Sequence, residues 1–288
     1  MNTRRVKRQG LIEPPRGTIN TSIEKVIVNT VIKGRPYIKT MIITSYEAEN
    51  SLTIYIGDSN FYCIYCQILK NKESGIYHTG LLTKEKWDIS CSPDKPFEKG
   101  IDSIIIIKLV LTYINDKYPE VKELLFTDLS TKYYDDGSSV SLVGMNVFTD
   151  GKTWYESHFD VKMDDLYKNL YERMMATATE NKSKMSFNKF IWYCNINQLN
   201  IPLDELEQQY NLSTTWQEFL SFIRDKIGVS NYCKWLSRNN WFDIFVHLVL
   251  KFQSLSLQFI FEPKQYDISY NITKNIGGRH ITRKNIRR

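Results

Sequence analysis

The strongest constraint on this chain is an alternation. From Ile23 to Ile32 the side chains fall into two sets, Ile23, Lys25, Ile27, Asn29 and Val31 against Glu24, Val26, Val28, Thr30 and Ile32. A period of two puts successive residues on opposite faces of a strand. Further β-rich runs cover Tyr37 to Ser45, Leu52 to Ile56, Phe61 to Leu69, and roughly Gly80 to Cys91. Gly34-Arg35-Pro36 and Gly57-Asp58-Ser59-Asn60 separate runs as turns. The pattern predicts a meander of about four to five antiparallel strands. With 288 residues, 42% of them hydrophobic and 24% charged, the chain can fill a sizeable core and is not built for wholesale disorder.

The grammar then changes. Ser92 to Pro96 reads as a loop and Ile101 to Asp116 as an apolar helix, closed by Tyr118-Pro119. Leu124-Leu125-Phe126 is a short buried strand, and Asp128 to Ser139 is polar with a turn at Asp135-Asp136-Gly137. Val140 to Phe148 is a second short helix, and Gly151 to Val161 is expected to return to the sheet. Beyond Met163 the pattern predicts helices over 164–180, 187–195, 203–210, 214–226, 231–237 and 241–253. Thr214 offers an N-cap, with Gln217 at capping-box spacing. Leu255 to Phe261 reads as a last strand or a helix end. The expected fold class is mixed α/β, a mainly antiparallel sheet with helices, followed by a mainly helical C-terminal part. The expected divisions are a basic flexible arm at 1–22, an α/β domain at 23–162, a helical region at 163–262 and a basic flexible tail at 263–288.

The formal net charge of +6 is unevenly placed. Residues 1–17 carry Arg4, Arg5, Lys7, Arg8 and Arg16 against Glu13, a net +4. Residues 264–288 carry Lys264, Lys274, Arg279, Arg283, Lys284, Arg287 and Arg288 against Asp267, a net +6. The body between them is therefore mildly acidic, at −4. Basic ends of this kind suit phosphates, so nucleic acid or an acidic protein surface is the expected partner. Solubility alone would also explain them. No aromatic residue is interleaved with the N-terminal arginines, so that arm lacks a stacking platform of its own. No run approaches 18 uncharged apolar residues, so no membrane span is expected. The first residues lack the apolar run of a secretory signal, and with five cysteines this predicts a reducing, intracellular location.

Cys63 and Cys66 have zinc-ligand spacing, with His78 and Cys91 beyond. Inside a strand, however, residues three apart face opposite ways, so no metal site is expected. The four histidines show no HExxH spacing, and no GxSxG elbow is present. Gly151-Lys152-Thr153 would end a phosphate-binding loop, but Asn146 stands where the first glycine is needed. Gly100, Ile101, Asp102 and Ser103 open the first long helix, where backbone N–H groups can receive an anion. Asp102 suits the helix dipole and would repel a bound pyrophosphate. The segment Gly151 to Phe159 gathers Trp154, Tyr155, Glu156 and His158. There Tyr155 could donate a proton, and Glu156 or His158 could accept one.

Taken together, these residues resemble the Gcn5-related N-acetyltransferase fold in a divergent form. The order of strands, loop, helix from Ile101, strand ending at Phe126, second helix and segment after Tyr155 carries the likeness over about residues 25–162. Phe126-Thr127-Asp128-Leu129-Ser130 and Gly151-Lys152-Thr153-Trp154-Tyr155-Glu156 also resemble a group of acetyltransferase-like proteins from large DNA viruses, as does, loosely, Thr215-Trp216-Gln217-Glu218-Phe219. The resemblance implies acetyl-coenzyme A as cofactor, held by a turn that here matches Phe97, Gly100 and Asp102. Of that turn only the glycine at 100 is kept. It implies Tyr155 as general acid toward the departing thiolate, with His158 and Glu156 nearby. The damaged turn implies a degenerate scaffold without a cofactor, acting by binding protein or nucleic acid. Two other readings stand beside it: an active N-acetyltransferase, and a nucleic-acid-associated or virion structural protein. A viral origin would place the chain in the host cytoplasm or the virion.

Overall fold

The computed structural model describes residues 17–57, 62–70, 77–84, 101–128, 131–180, 182, 185–194, 196–252 and 257–275. The arginines and lysines at 4, 5, 7, 8, 279, 283, 284, 287 and 288 lie outside the described residues, as does Gly100. The chain is mixed α/β. It divides into two compact units, Met1–Phe126 with Ile260–Arg288, and Thr127–Phe259. The expected boundary near residue 162 marks where strand signals fade. The compact units divide elsewhere, because residues after 259 return to the first unit.

In the first unit five strands form the meander: β1 (Thr18–Ile32), β2 (Arg35–Ala48), β3 (Ser51–Gly57), β4 (Tyr62–Lys70) and β5 (Tyr77–Lys84). Each pairs antiparallel with the next. The first hairpin turns on Lys33-Gly34, both at positive φ, between Ile32 and its partner Arg35. That is the two-residue turn whose twist matches paired strands, one position earlier than the sequence suggested. The residues after Lys84, to which the expected fifth run extends, lie outside the description. Helix α1 (Ile101–Lys117) then leads to β6 (Leu124–Asp128), which runs parallel to β5. Among the described residues this pair has one register position, Leu81 opposite Leu125. Beyond β6 comes β10 (Leu257–Phe261), and at the other edge β11 (Ser269–Asn275) pairs antiparallel with β1. Two expectations are corrected here. Residues 269–275 of the supposed flexible tail form a strand, and Thr18–Ser22 of the supposed arm already belong to β1. The sequence could not show the first, because the β1 partners of 269–275 lie 240 or more residues away.

One face of this sheet is closed by α1. Val26, Val28, Met41, Ile43, Leu52, Ile54, Ile56, Ile64, Cys66 and Ile68 are all fully buried. They occupy one register face across β1 to β4. Ile106, Leu109, Val110 and Ile114 of α1 are equally buried. The run Ile104–Ile107 is β-branched, which disfavours a helix slightly. Burial on nearly every side outweighs that preference.

The second unit begins with a small hairpin, β7 (Thr131–Tyr133) and β8 (Ser139–Ser141), around the Asp135–Gly137 turn. The sequence predicts a polar stretch with a turn up to Ser139 and a helix from Val140; Thr131–Tyr133 and Ser139–Ser141 are strand instead. Helices α2 (Leu142–Asp150) and α3 (Trp154–His158) follow, then β9 (Val161–Met163). The expected return to the sheet over 151–161 is thus corrected: Trp154–His158 is helix, and strand resumes only at Val161–Met163. Beyond lie α4 (Asp165–Thr179), α5 (Phe187–Tyr193), α6 (Leu203–Leu212), α7 (Trp216–Ile227), α8 (Val229–Ser237) and α9 (Trp241–Ile244). The last continues as a π-helical turn, Phe245–Val249. The N-cap of α7 is Thr215 with Glu218 at the third helical position, one residue past the expected Thr214–Gln217 pair. Glu218 Oε2 accepts from the Thr214 N–H at 2.7 Å and from its hydroxyl at 2.9 Å, so Thr214 braces the cap instead of forming it.

The core of this unit is aromatic. Phe190 is fully buried, and its ring centroid lies 5.2 Å from Phe219, 5.6 Å from Tyr210, 5.8 Å from Trp216, 6.1 Å from Phe245 and 6.2 Å from Trp241. With Phe190 of α5, these six rings come from five helical segments. Replacing Phe190 with Ala leaves a void that five rings cannot all fill. We expect a loss of about 3–5 kcal/mol, read as a lower denaturant midpoint. A loss below about 1 kcal/mol would mean that the hub repacks.

The α7 cap also predicts a pH effect. The bonds from Thr214 and Thr215 hold the Glu218 carboxyl below its ordinary value of 4.5. The stabilisation from its charge is therefore complete above the unfolded value and is lost as pH falls through the lower folded one. Glu218→Gln should be less stable than the parent at pH 7, with the gap closing below about pH 4. A gap that stays constant to pH 2.5 in thermal melts would show that the charge contributes nothing.

Candidate functional site

The two sequence-derived sites lie one in each unit. The first is the segment around Tyr155. Gly151 ends α2 in the left-handed conformation (φ 68°), and its N–H donates to the Val147 carbonyl at 3.1 Å. Two residues later Thr153 caps α3. The Glu156 N–H donates to Thr153 Oγ1 at 3.3 Å, while Glu156 Oε2 accepts from the Thr153 N–H at 2.8 Å and its hydroxyl at 2.9 Å. This is a reciprocal capping box. The Tyr171 hydroxyl of α4 also reaches both Glu156 oxygens, at 2.8 and 2.7 Å. Glu156 is thereby occupied in holding a helix end.

His158 is exposed and folds back on its own helix. Its Nδ1 donates to the Trp154 carbonyl at 2.8 Å, and its ring stacks on Trp154 at 4.7 Å. Tyr155 points the other way. It is 5% exposed, with Trp154 at 5.0 Å, Phe259 at 5.8 Å and Phe159 at 6.3 Å. Burial, and after it the Asp128 charge, pushes the phenol well above its ordinary range. A phenol so held gives up its proton less readily than a free one. The three residues expected to act together are therefore adjacent in sequence but committed to three different local tasks.

The second site is the start of α1. Ile101 opens the helix, and Ser103 is 1% exposed. Asp102, also in the first turn, is 2% exposed. Its Oδ2 lies 3.2 Å from the Lys39 Nζ, and its Oδ1 accepts a hydrogen bond from the Tyr37 hydroxyl. Both partners come from β2. The expectation that Asp102 stands as a bare negative charge toward a phosphate is thus corrected: Lys39 neutralises it inside the unit. Sequence reasoning missed Lys39 and Tyr37, although a signal existed. Tyr37, Lys39, Met41, Ile43 and Ser45 share one face of an alternating strand, and a lysine among such residues calls for a buried partner.

A further polar cluster lies at the other end of α1. Glu24 is 6% exposed, with Lys117 Nζ 3.6 Å from its Oε1, and its Oε2 has no hydrogen-bond partner. Tyr113 is 6.3 Å from Tyr118 and 6.0 Å from Tyr270, and Glu24 adds to the burial that raises all three phenols. In the second unit Lys182 is buried, donates to the Tyr210 carbonyl and sits 3.8 Å over its ring. Its place at the C-terminal end of α6 suits the helix dipole, and burial lowers its ammonium.

No group of three or more His, Cys, Asp or Glu that could hold a metal occurs among the described residues. Cys66 is fully buried on the core face of β4, and burial lifts its thiol to about 12. The side chains of Cys63, His78 and Cys91 lie outside the described residues. No described helix is long and apolar enough to cross a membrane.

The Asp102–Lys39 pair gives a direct test. Side-chain exposures of 3% and 9% mean that removing one partner strands the other's charge. Lys39→Met should cost about 3–5 kcal/mol. The double variant Lys39→Met, Asp102→Leu should recover much of that loss in chemical denaturation. Losses that simply add would show that the two side chains are independent.

With this geometry in place, comparison with protein-family models, with curated proteins and with solved structures returns no significant match.

Proposed function

We propose that this chain is a binding scaffold of acetyltransferase-like build, with its former catalytic positions given over to structure. The observation that carries this reading is Asp102. In the acetyltransferase likeness it stands at the second glycine of the pyrophosphate turn, and here it is buried against Lys39 and Tyr37. At that helix start a diphosphate would find, in place of a second glycine, a buried carboxylate already engaged by Lys39 and Tyr37. Glu156 supports the same reading, since both its oxygens serve the α3 cap and Tyr171. The partners are nucleic acid or an acidic protein surface, engaged through the basic ends.

One observation favours the second reading, a working N-acetyltransferase. Among the described residues the parallel β5–β6 pair has one register position, Leu81 with Leu125. In the acetyltransferase likeness the corresponding strands part to admit the cofactor's pantetheine arm.

Calorimetric titration of the full chain with acetyl-coenzyme A separates the two. The scaffold reading expects no saturable heat up to several hundred micromolar cofactor. Micromolar binding overturns it. If such binding is followed by turnover on an amine that falls at least tenfold in Tyr155→Phe, the enzyme reading takes its place.

A further inference from the structure

The C-terminal end of α1 gathers a different chemistry from its start. Ser22 and Glu24 of β1 and Ser45 and Glu47 of β2 continue the core-face rows of Val26, Val28, Met41 and Ile43. Tyr270 of β11 stands opposite Val28 on the same face. Above them the last turn of α1 carries Tyr113, Asp116 and Lys117, and Tyr118 follows. Tyr113 is 2% exposed and forms the floor of a corner of three rings. Tyr118 lies 6.3 Å from it at 59°, and Tyr270 lies 6.0 Å from it at 50°. Both of these walls are half-buried. Their hydroxyls are turned to polar partners: Tyr118 donates to the Ser45 hydroxyl at 3.4 Å, and Tyr270 to Asp116 Oδ2 at 3.1 Å.

Glu24 sits among the rings, since its charge adds to the burial that raises each phenol. Glu47 and Glu120 act in the same direction at Tyr118, and Asp116 at Tyr270. The phenols therefore stay protonated at neutral pH and present uncharged faces. Glu24 is 6% exposed, yet neither of its oxygens has a charged hydrogen bond. Oε1 accepts from the Ser22 hydroxyl at 3.4 Å, and the Lys117 ammonium stops 3.6 Å away. That is beyond hydrogen-bond reach. Oε2 is buried and has no hydrogen-bond partner. A buried carboxylate in this condition is costly until a cation completes it.

Lys117 does not complete it, although its side chain is 39% exposed and comes in from solvent. A primary ammonium is strongly hydrated, and entering a corner this deep would strip that water away. A methylated ammonium gives up less hydration and is drawn to aromatic faces. The last carbonyls of α1 add the negative end of the helix dipole. Among the described residues no group of carboxylates here could hold a metal ion, whereas three rings around one carboxylate suit an organic cation.

We infer that this corner binds a methylated ammonium group, with Tyr113, Tyr118 and Tyr270 against its methyls, Glu24 as counter-charge and Lys117 as the group it displaces. Choline and a methylated lysine side chain both offer that head group. The site lies about 22 Å along α1 from Asp102, so it stands or falls apart from the scaffold reading.

The test is calorimetric titration of the full chain at pH 7.5 and constant ionic strength. The probes are choline, Nα-acetyl-trimethyllysine amide and the unmethylated form of that amide. Saturable heat is expected with one or both methylated cations, at least tenfold tighter than with the unmethylated amine. Which of the two binds better tells a small molecule from a modified peptide. Glu24→Gln should weaken binding at least tenfold and Tyr270→Leu severalfold, each with its cooperative thermal melt retained. Lys117→Ala should tighten it at least threefold, because the competing ammonium is gone. The inference is overturned if neither methylated cation binds at 10 mM to the parent or to Lys117→Ala. It is equally overturned if Glu24→Gln folds and binds as the parent does, or if the unmethylated amine or potassium competes as well as the methylated cations. Should Glu24→Gln fail to fold, unchanged affinity in both Lys117→Ala and Tyr270→Leu sinks the idea. Heat from acetyl-coenzyme A, by contrast, bears only on the scaffold reading.

Discussion

A buried contact between opposite charges fixes the first turn of α1 to the sheet. Asp102 is held by Lys39 and Tyr37, both on the core face of β2. At the far end of the same helix, Lys117 approaches the buried Glu24 of β1. Between these two polar clasps the face of the helix that meets the sheet is apolar, with Ile106, Leu109, Val110 and Ile114 fully buried, and apolar contacts alone set register weakly. The clasps set its register, because a displaced helix would leave charges buried without partners. Which face of the sheet is closed follows from that docking.

The segment that looked most like an active site has a plain structural explanation. Gly151 closes α2, and Thr153 with Glu156 opens α3. Two helix caps placed back to back demand a residue tolerant of positive φ, then a short side-chain acceptor, then a carboxylate three residues on. Trp154 and Tyr155 pack the short helix, and His158 leans on Trp154. Spacing that suggests catalysis can thus be a record of capping, which is why the engagement of each side chain decides between the two.

Much of the fold was legible. The period-two runs give the meander, and the long apolar run gives α1 nearly to the residue, because both patterns are read from local burial. The helices between 165 and 249 were legible as well, some by their caps. The hairpin of β7 and β8 was not, since its strands are three residues long and mostly polar. Nor was α3, where tryptophan, tyrosine and phenylalanine suggested a strand while the Thr153–Glu156 box dictated a helix turn. Of the candidate sites, the residues were found but their partners were not: Lys39, Tyr37 and Tyr171 all come from other elements.

By itself the sequence determined the alternation of the strands, the helix lengths, the caps and the placing of positive charge at both ends. Each depends only on neighbours a few residues away. The tertiary structure alone decided that Asp102 is paired with Lys39, that residues 269–275 join β1, and that the Tyr46, Tyr55 and Tyr65 rings meet on one face. These depend on strand register and on pairings separated by tens to hundreds of residues. No local pattern encodes such pairings, because a strand's alternation states which residues share a face and not which strand lies beside it.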